Sequence, residues 1–394
     1  MGLTGAGLRI AVVSNTAWYL FNFRLNLMHA LQAAGHTVIA IAPADAYSDR
    51  LRVAGVTFEP VRISGGGVNP VTEALSVVRL RSLFRRQKVD LILSYTPKGN
   101  LYSALACIEL GLPFLPNVSG LGRAFIRRSP VTWIAQALYR LTFRRAQRVF
   151  FQNPDDMAVF VREGLVLAER AERLPGSGVD LVRFSPAPLP VNPADAPAYL
   201  LVARMLWDKG VGEFVAAARE VRKIHPRATF RLLGFMASDN PSAIPWDQVN
   251  EWVLEGIVTY LGPTDDVRPY LADADCVVLP SYREGVPRVL LEAAAMARPV
   301  ITTDAPGCRE AVIDKETGYA CRTADARDLA AKMLAFVALP QEERLAMGQR
   351  GRAFVERNFD EHAVLDRYLK TVAVIASRLA SAGREAQSKQ AGSR

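Results

Sequence analysis

Short apolar runs, most of them stopping at a proline, glycine or serine, alternate with stretches of helical periodicity along the whole of this 394-residue chain. LRIAVVS, TVIAIAP, VDLILS, PFLPNVSG and RVFFQN lie in the first half; YLLVAR, TFRLLG, IVTYLG, CVVLP and PVITT lie in the second. Apolar runs of this length read as strands buried on both faces, and helices between them make the sheet parallel. Two such sheets are expected, because 394 residues exceed what one hydrophobic core usually holds. Residues 175–190, rich in Pro and Gly and without periodicity, mark the boundary between them. The fold class is therefore α/β, with two domains.

Helices are expected over residues 23–34, 101–110 and 212–225, with later ones at 326–338, 341–357 and 360–379. RVFFQN is the last clear strand of the first half. Residues 380–394, ASAGREAQSKQAGSR, are small and polar and are expected to lack regular structure.

Half of the residues are hydrophobic and 22% are charged, which suits a globular protein and argues against general disorder. Cys107, Cys276, Cys308 and Cys321 stand singly, which fits a reducing compartment and neither a disulfide framework nor a CxxC zinc site. No apolar run approaches the roughly 20 residues that span a bilayer. Residues 8–14 have neither the charged prelude nor the cleavage site of a signal peptide. A cytoplasmic or membrane-peripheral protein is expected. Charge is unevenly placed: residues 1–175 hold 21 basic and 11 acidic side chains, a balance of +10, against 27 and 28 in residues 176–394. Residues 77–88, VVRLRSLFRRQK, and residues 123–148 concentrate the excess, the second with Phe125, Trp133, Ile134, Leu138, Tyr139 and Phe143 interleaved. Basic amphipathic helices of this kind suit an anionic membrane surface. The same pattern also fits a solvated helix whose apolar stripe faces the core. Nucleic acid is not expected, since no recognised binding module accompanies the charge.

The densest chemistry lies in residues 281–299, SYREGVPRVLLEAAAMARP, between two of the strand-like runs. Pro287 suits the first position of a helix, because its φ is already helical and its missing N–H is not needed there. Glu284 is then expected in a loop at the carboxyl end of a strand, and Glu292 about two turns inside the helix. Ligands of open α/β sheets bind at that edge, and a helix N-terminus offers amides and a partial positive charge to phosphate. Two carboxylates beside a phosphate site suit the hydroxyls of a sugar and a ribose. In isolation they read equally as helix-start charges favourable to the dipole. Arg204 and Lys209, between YLLVAR and the next helix, can hold a diphosphate by forked and point-charge contacts. Alone, they are simply surface cations.

Taken together, five segments resemble the retaining GT-B glycosyltransferases, the large glycogen-synthase-like family that includes many bacterial polysaccharide and lipid-linked-sugar transferases. They are PGSGVDLVRFSP (175–186), ARMLWDKG (203–210), GPTDDVRPYLADADCVVLPS (262–281), EGVPRVLLEA (284–293) and APGCREAV (305–312), in the family's order. The resemblance implies two Rossmann-like domains facing across a cleft. An acceptor-binding, membrane-facing domain would span residues 1–177 and a nucleotide-sugar domain 178–359, with a helix at 360–379 crossing back to the first. Arg204 and Lys209 would hold the leaving nucleoside diphosphate, Glu284 would lie near the transferred sugar, and Glu292 would accept from the ribose hydroxyls. Gly285, Val286, Pro287, Arg288, Val289 and Leu290 belong to the same expected donor site, with the amides near Arg288–Leu290 meeting phosphate oxygens. Gly234 joins them, and Thr264, Asp266 and Val267 would meet the base through main-chain groups. No metal, and no cofactor besides the donor, is implied.

The first half departs from that family's pattern. Many relatives carry Gly-Gly after the first strand and a His before a Gly in the mid-domain loop. Here those positions read SNTAW (14–18) and NVSGLG (117–122), while His29, His36, His225 and His362 lie elsewhere. TPKGN (96–100) and SGLGRAF (119–125) are similar to a subgroup acting on lipid-linked oligosaccharides. Asn15, Arg24, Lys98, Ser119 and Gly120 are the candidate acceptor contacts. The resemblance implies transfer of an N-acetylhexosamine or hexose from a UDP-sugar to a polyprenyl-diphosphate-linked saccharide at the inner face of the cell membrane. Two alternatives stay open: a UDP-sugar 2-epimerase of similar fold, and a non-catalytic nucleotide-sugar-binding scaffold.

Overall fold

The structure is a computed structural model in which residues 7–63, 69–121, 130–190, 193, 196–236 and 240–391 are described. Gly122, Arg123, Phe125, Arg127 and Arg128 therefore lie outside the described residues. The chain divides into two compact units, Met1–Leu174 with His362–Arg394, and Pro175–Glu361.

In the first unit the strands are β1 (Arg9–Val13), β2 (Thr37–Ala42), β3 (Thr57–Pro60), β4 (Leu91–Tyr95), β5 (Phe114–Val118), β6 (Val149–Phe151) and β7 (Ala171–Arg173). They form one seven-stranded sheet in the order β3-β2-β1-β4-β5-β6-β7, all neighbours parallel. The helices are α1 (Ala17–Ala33), α2 (Ser48–Val53), α3 (Pro70–Arg86), α4 (Pro97–Leu110), α5 (Pro130–Phe143) and α6 (Pro154–Arg162). One core lies between the sheet and α3–α6 and includes Leu80, Leu83, Phe84, Tyr139, Phe143 and Phe160. A second core lies on the other face, where α1 and α2 meet residues of the final helix. The central strands are mostly apolar and are buried apart from Thr37 at the start of β2, as coverage on both faces requires.

The second unit repeats the plan with β8 (Ala198–Val202), β9 (Thr229–Leu233), β10 (Thr259–Tyr260), β11 (Cys276–Leu279), β12 (Val300–Thr303) and β13 (Gly318–Cys321). Their order is β10-β9-β8-β11-β12-β13, again all parallel. Helices α7 (Val211–Ile224), α8 (Trp246–Leu254), α9 (Arg268–Ala272), α10 (Arg288–Ala295), α11 (Ala326–Val337) and α12 (Gln341–Asn358) cover it. The chain enters and leaves this unit side by side. Val179 bridges Asp360, and a Cβ on Gly178 (φ +71°) would sit 2.5 Å from the Glu361 Cα. Only glycine permits that crossing.

Several expectations need correction. Helix α1 starts six residues earlier than its apolar spacing suggested, because Thr16 caps it by accepting from the Tyr19 amide. A further strand, β7, follows RVFFQN; its three residues are too polar and too few to register as an apolar run. The last helix, α13 (Glu361–Ala391), continues through most of the segment expected to lack structure. Its Ala, Arg, Glu, Gln and Lys are strong helix formers, and no proline interrupts them.

Candidate functional site

The site is assembled at the carboxyl edge of the second sheet, where the turns after β8, β9, β11 and β12 come together. Three close backbone approaches fix their spacing. Gly210 has φ +71°, and a Cβ on it would lie 2.1 Å from the Pro280 carbonyl oxygen. Gly307 (φ +82°) backs onto the glutamate loop, where a Cβ would meet Glu284 O at 2.2 Å. Gly234 (φ +141°) lies so near Ala203 that a Cβ would be 1.9 Å from its oxygen. A side chain at any of the three would push the turns apart.

Polar bonds complete the frame. The Tyr282 amide donates to Asp208 O at 3.0 Å and the Ser281 hydroxyl donates to the same oxygen at 3.1 Å. Tyr282 Oη donates to the Glu213 carboxylate at 2.6 Å, tying the loop to the first turn of α7. The Glu284 amide donates to Pro306 O at 3.0 Å. The Lys209 ammonium and the Glu284 carboxylate, separate in the sequence, consequently form an ion pair. Arg204 is exposed, and among the described residues no carboxylate pairs with it.

Helix α10 begins at Arg288, so Pro287 takes the cap position with extended ψ rather than the first turn. Glu292 is thus about one turn inside the helix, not two, and pairs with Arg288 at 3.0 Å. Burial raises the Glu292 carboxyl above the usual glutamate value, while the cations of Arg288 and Arg183 oppose the shift. The Leu290 amide already donates to Pro287 O at 3.1 Å, so it is engaged rather than open to a ligand. Val286 and Leu290 are core side chains, which leaves only backbone for a ligand to meet. Gly285, buried, lies in the loop before the cap, and Val289 in the first turn of α10.

In the base-expected strip, Thr264 Oγ1 accepts from the Asp266 amide at 3.1 Å and donates to Asp266 O at 3.0 Å. Arg268 clamps the Asp266 carboxylate through Nε and Nη2, both at 2.8 Å, and holds it below the usual range. Val267 caps α9. Three contributors were not singled out from the sequence. Arg183 acts electrostatically on both Asp266 and Glu292; it stands in a recognised segment, and only the fold brings it within reach of both carboxylates. The Tyr282–Glu213 bond and the Asp208–Ser242 bond join residues with no shared spacing.

The acceptor candidates fare differently. Asn15, Lys98, Ser119 and Gly120 follow the carboxyl ends of β1, β4 and β5, which are adjacent in the first sheet. Lys98, however, is half-buried and paired with Glu73 at 2.8 Å. Arg24 is buried inside the unit, its Nη2 donating to Tyr19 Oη at 2.9 Å and its guanidinium stacked 4.2 Å over the Tyr95 ring. It is not a surface contact. Its position in a helix gave no warning that tyrosines from three elements would enclose it. Among the described residues no group of three or more His, Cys, Asp or Glu is placed to hold a metal ion.

Comparison with known proteins places the architecture. A family profile described as "Glycosyl transferases group 1" matches residues 196–338, and "Glycosyl transferase 4-like domain" matches 23–177. A Campylobacter jejuni protein is 28% identical over 92% of this chain and 98% of its own. Its name is N,N'-diacetylbacillosaminyl-diphospho-undecaprenol alpha-1,3-N-acetylgalactosaminyltransferase. An Escherichia coli UDP-Gal:alpha-D-GlcNAc-diphosphoundecaprenol alpha-1,3-galactosyltransferase is 22% identical, covering 61% of this chain and 64% of its own. Among solved structures, Anabaena HepE in complex with UDP and glucose superimposes with a TM-score of 0.77 at 17% identity, covering 93% of this chain and all of that one.

Proposed function

Because the chain belongs to the group 1 glycosyltransferases and has their two-domain GT-B fold, we propose that it moves an N-acetylhexosamine or hexose from a UDP-sugar to a polyprenyl-diphosphate-linked saccharide. The observation that carries this reading is the length of the likeness to the Campylobacter transferase, which runs through both units and nearly the whole of both chains. A UDP donor is supported by the E. coli relative's name. The match to transferases does not favour the epimerase or scaffold alternatives.

The donor's diphosphate would lie against Arg204 and Lys209, with the first turn of α10 supplying further positive potential. On arrival the phosphate competes with Glu284 for the Lys209 ammonium, which frees the carboxylate to meet a sugar hydroxyl. Glu292 would accept from the ribose hydroxyls, with its charge held by Arg288. Transfer proceeds with retention: the acceptor hydroxyl attacks the anomeric carbon on the face from which the phosphate departs. The C1–O bond to the phosphate breaks, and the acceptor's proton passes to the leaving phosphate oxygen. Arg204 and Lys209 stabilise the charge that develops there. No cofactor besides the donor enters this scheme. We place the reaction at an anionic membrane surface, on the inner face of the cell membrane; a lipid-linked acceptor and the basic excess of the first unit support this reading.

The test is UDP release across UDP-sugars, with and without polyprenyl-diphosphate saccharides. Acceptor-dependent release is expected. Turnover without acceptor, yielding the C2 epimer, would establish the epimerase instead, and no turnover with any donor would leave a binding scaffold.

A further inference from the structure

Six of the nine exposed large apolar side chains among the described residues of the first unit lie on α3 and α5. On α3 these are Val71, Leu75 and Val78, spaced i, i+4, i+7, on a face other than the one that buries Leu80, Leu83 and Phe84. On α5 they are Trp133, Ile134 and Leu141, with Trp133 70% and Ile134 62% exposed. Helix α4 packs between the two and is itself largely buried, so the exposed rows stand on either side of it.

Both rows have the same direction. Short connections lead from the ends of α3 and α5 to the starts of β4 and β6, so both helices run against the strands. The apolar residues therefore begin near the carboxyl edge of the sheet. Further along each helix come arginines: Arg79 midway along α3 and Arg85 in its last turn, and Arg144 and Arg145 just after α5. Among the described residues no carboxylate pairs with these four. Other cations that the sequence counted as basic surface are already engaged, Arg81 with Glu109 at 2.6 Å and Arg86 with Glu59 at 3.3 Å.

An exposed apolar patch on a helix layer marks a contact surface. Tryptophan beside aliphatic residues, with arginines further along, fits the boundary between acyl chains and anionic headgroups. We infer that the outer face of α3 and α5 is the surface by which this protein meets an anionic lipid bilayer, with Leu75, Trp133 and Ile134 entering the acyl boundary and Arg79, Arg85, Arg144 and Arg145 meeting headgroup phosphates. The inference rests on the lipid-linked acceptor reading and gives it an orientation: the edge carrying Asn15, Lys98 and Ser119 is the one held nearest the hydrocarbon.

The test compares the full chain with the variant Leu75→Ser/Trp133→Ser/Ile134→Ser, using vesicles of phosphatidylcholine with phosphatidylglycerol. All three side chains are exposed, so the variant should fold, which UDP calorimetry checks. The native protein should cosediment and keep part of its binding at 1 M salt, where screening is about 3 Å and headgroup attraction alone would vanish. The variant's vesicle affinity should fall at least tenfold with UDP binding unchanged. Native-like binding by the variant, or complete release of the native protein by salt, overturns the inference. So does a native dimer in solution that the variant dissolves, which would make this face a contact between copies. Acceptor-dependent UDP release by a protein that ignores vesicles sinks this inference alone. Vesicle binding lost in the variant, with no transfer to any lipid-linked acceptor, sinks the acceptor reading alone.

Discussion

The two units share a doubly wound parallel sheet but use its carboxyl edge in opposite ways. In the second, charged side chains converge there and pair with one another: Lys209 meets Glu284, Arg288 meets Glu292, and Arg204 stands exposed. In the first, much of the polar content at that edge is folded inward. Asn117 Nδ2 donates to Tyr368 Oη of α13 at 2.9 Å, Asn100 donates to Asn117 O at 2.8 Å, and Arg24 lies enclosed by Tyr19 and Tyr95. Even the buried arginines differ. Arg298 in the second unit donates to the carbonyls of Leu271, Ala272, Ala187 and Pro188, whereas Arg24 has one hydroxyl and aromatic faces. A diphosphate needs fixed cations and amides, and that need leaves a spacing in the chain. A lipid-borne acceptor can be met by surface chemistry, which leaves only composition.

The largest effect should come from the open site. Replacing Lys209 with Ala removes the cation that faces the leaving phosphate, and kcat for UDP release should drop about 10²-fold or more. Near-native turnover would take Lys209 out of the mechanism and erase the contrast between the two edges.

Arg24→Met tests the closed edge. Losing the cation over Tyr95 and the bond to Tyr19 should cost roughly 2 kcal/mol, about 4–8 °C in the melting temperature of a unit this size. UDP affinity and turnover of the folded variant should stay native. If stability holds while transfer to the acceptor collapses, Arg24 is a ligand contact after all.

These two residues also show what the chain made legible. Lys209 was readable because a loop between a strand and a helix has a known place in a parallel sheet. The strand–helix alternation itself was readable because burial leaves few polar positions in β2, β4 and β5: Thr37 at the exposed start of β2, Ser94 and Asn117. Arg24 was not, because a single arginine on a helix says nothing about the three tyrosines that reach it from α1, β4 and α13. The exposure of Val71, Leu75 and Trp133 was equally hidden, since an apolar stripe in a sequence does not say which face is covered. The extent of α13 is hidden for a related reason: its polar residues read as disorder, whereas helix propensity prevails.

Glu292→Gln should weaken UDP about tenfold, the loss of charge in a hydrogen bond to ribose. Glu284→Gln should leave UDP affinity little changed and lower turnover instead. Calorimetry on both variants decides, and equal losses of affinity would reject the division of roles. The native enzyme should also show a pH signature. Burial raises the Glu292 carboxyl above the ordinary glutamate value, so as pH falls it protonates earlier than an exposed glutamate and ceases to accept from the ribose. UDP affinity should therefore decline in a window just above the usual glutamate range. UDP's own phosphate titration is common to both proteins, so the difference between native and Glu292→Gln isolates the carboxyl. A flat difference would mean Glu292 does not bind ribose as a carboxylate.

The smallest effect tests how rigid the open site must be. Tyr282→Phe removes only the 2.6 Å bond to Glu213, leaving the Tyr282 amide and the Ser281 hydroxyl on Asp208 O to hold the loop. With two of three ties intact, about 1 kcal/mol of positioning should be lost, near fivefold in kcat. UDP affinity should not move, because neither Arg204 nor Glu292 depends on that bond. A fall in affinity equal to the fall in kcat would show that the loop holds the nucleotide as well as the sugar. No change in either would mean that Gly210 against Pro280 and Gly307 against Glu284 fix the loop by contact alone, as the tyrosine cluster fixes α13 in the other unit.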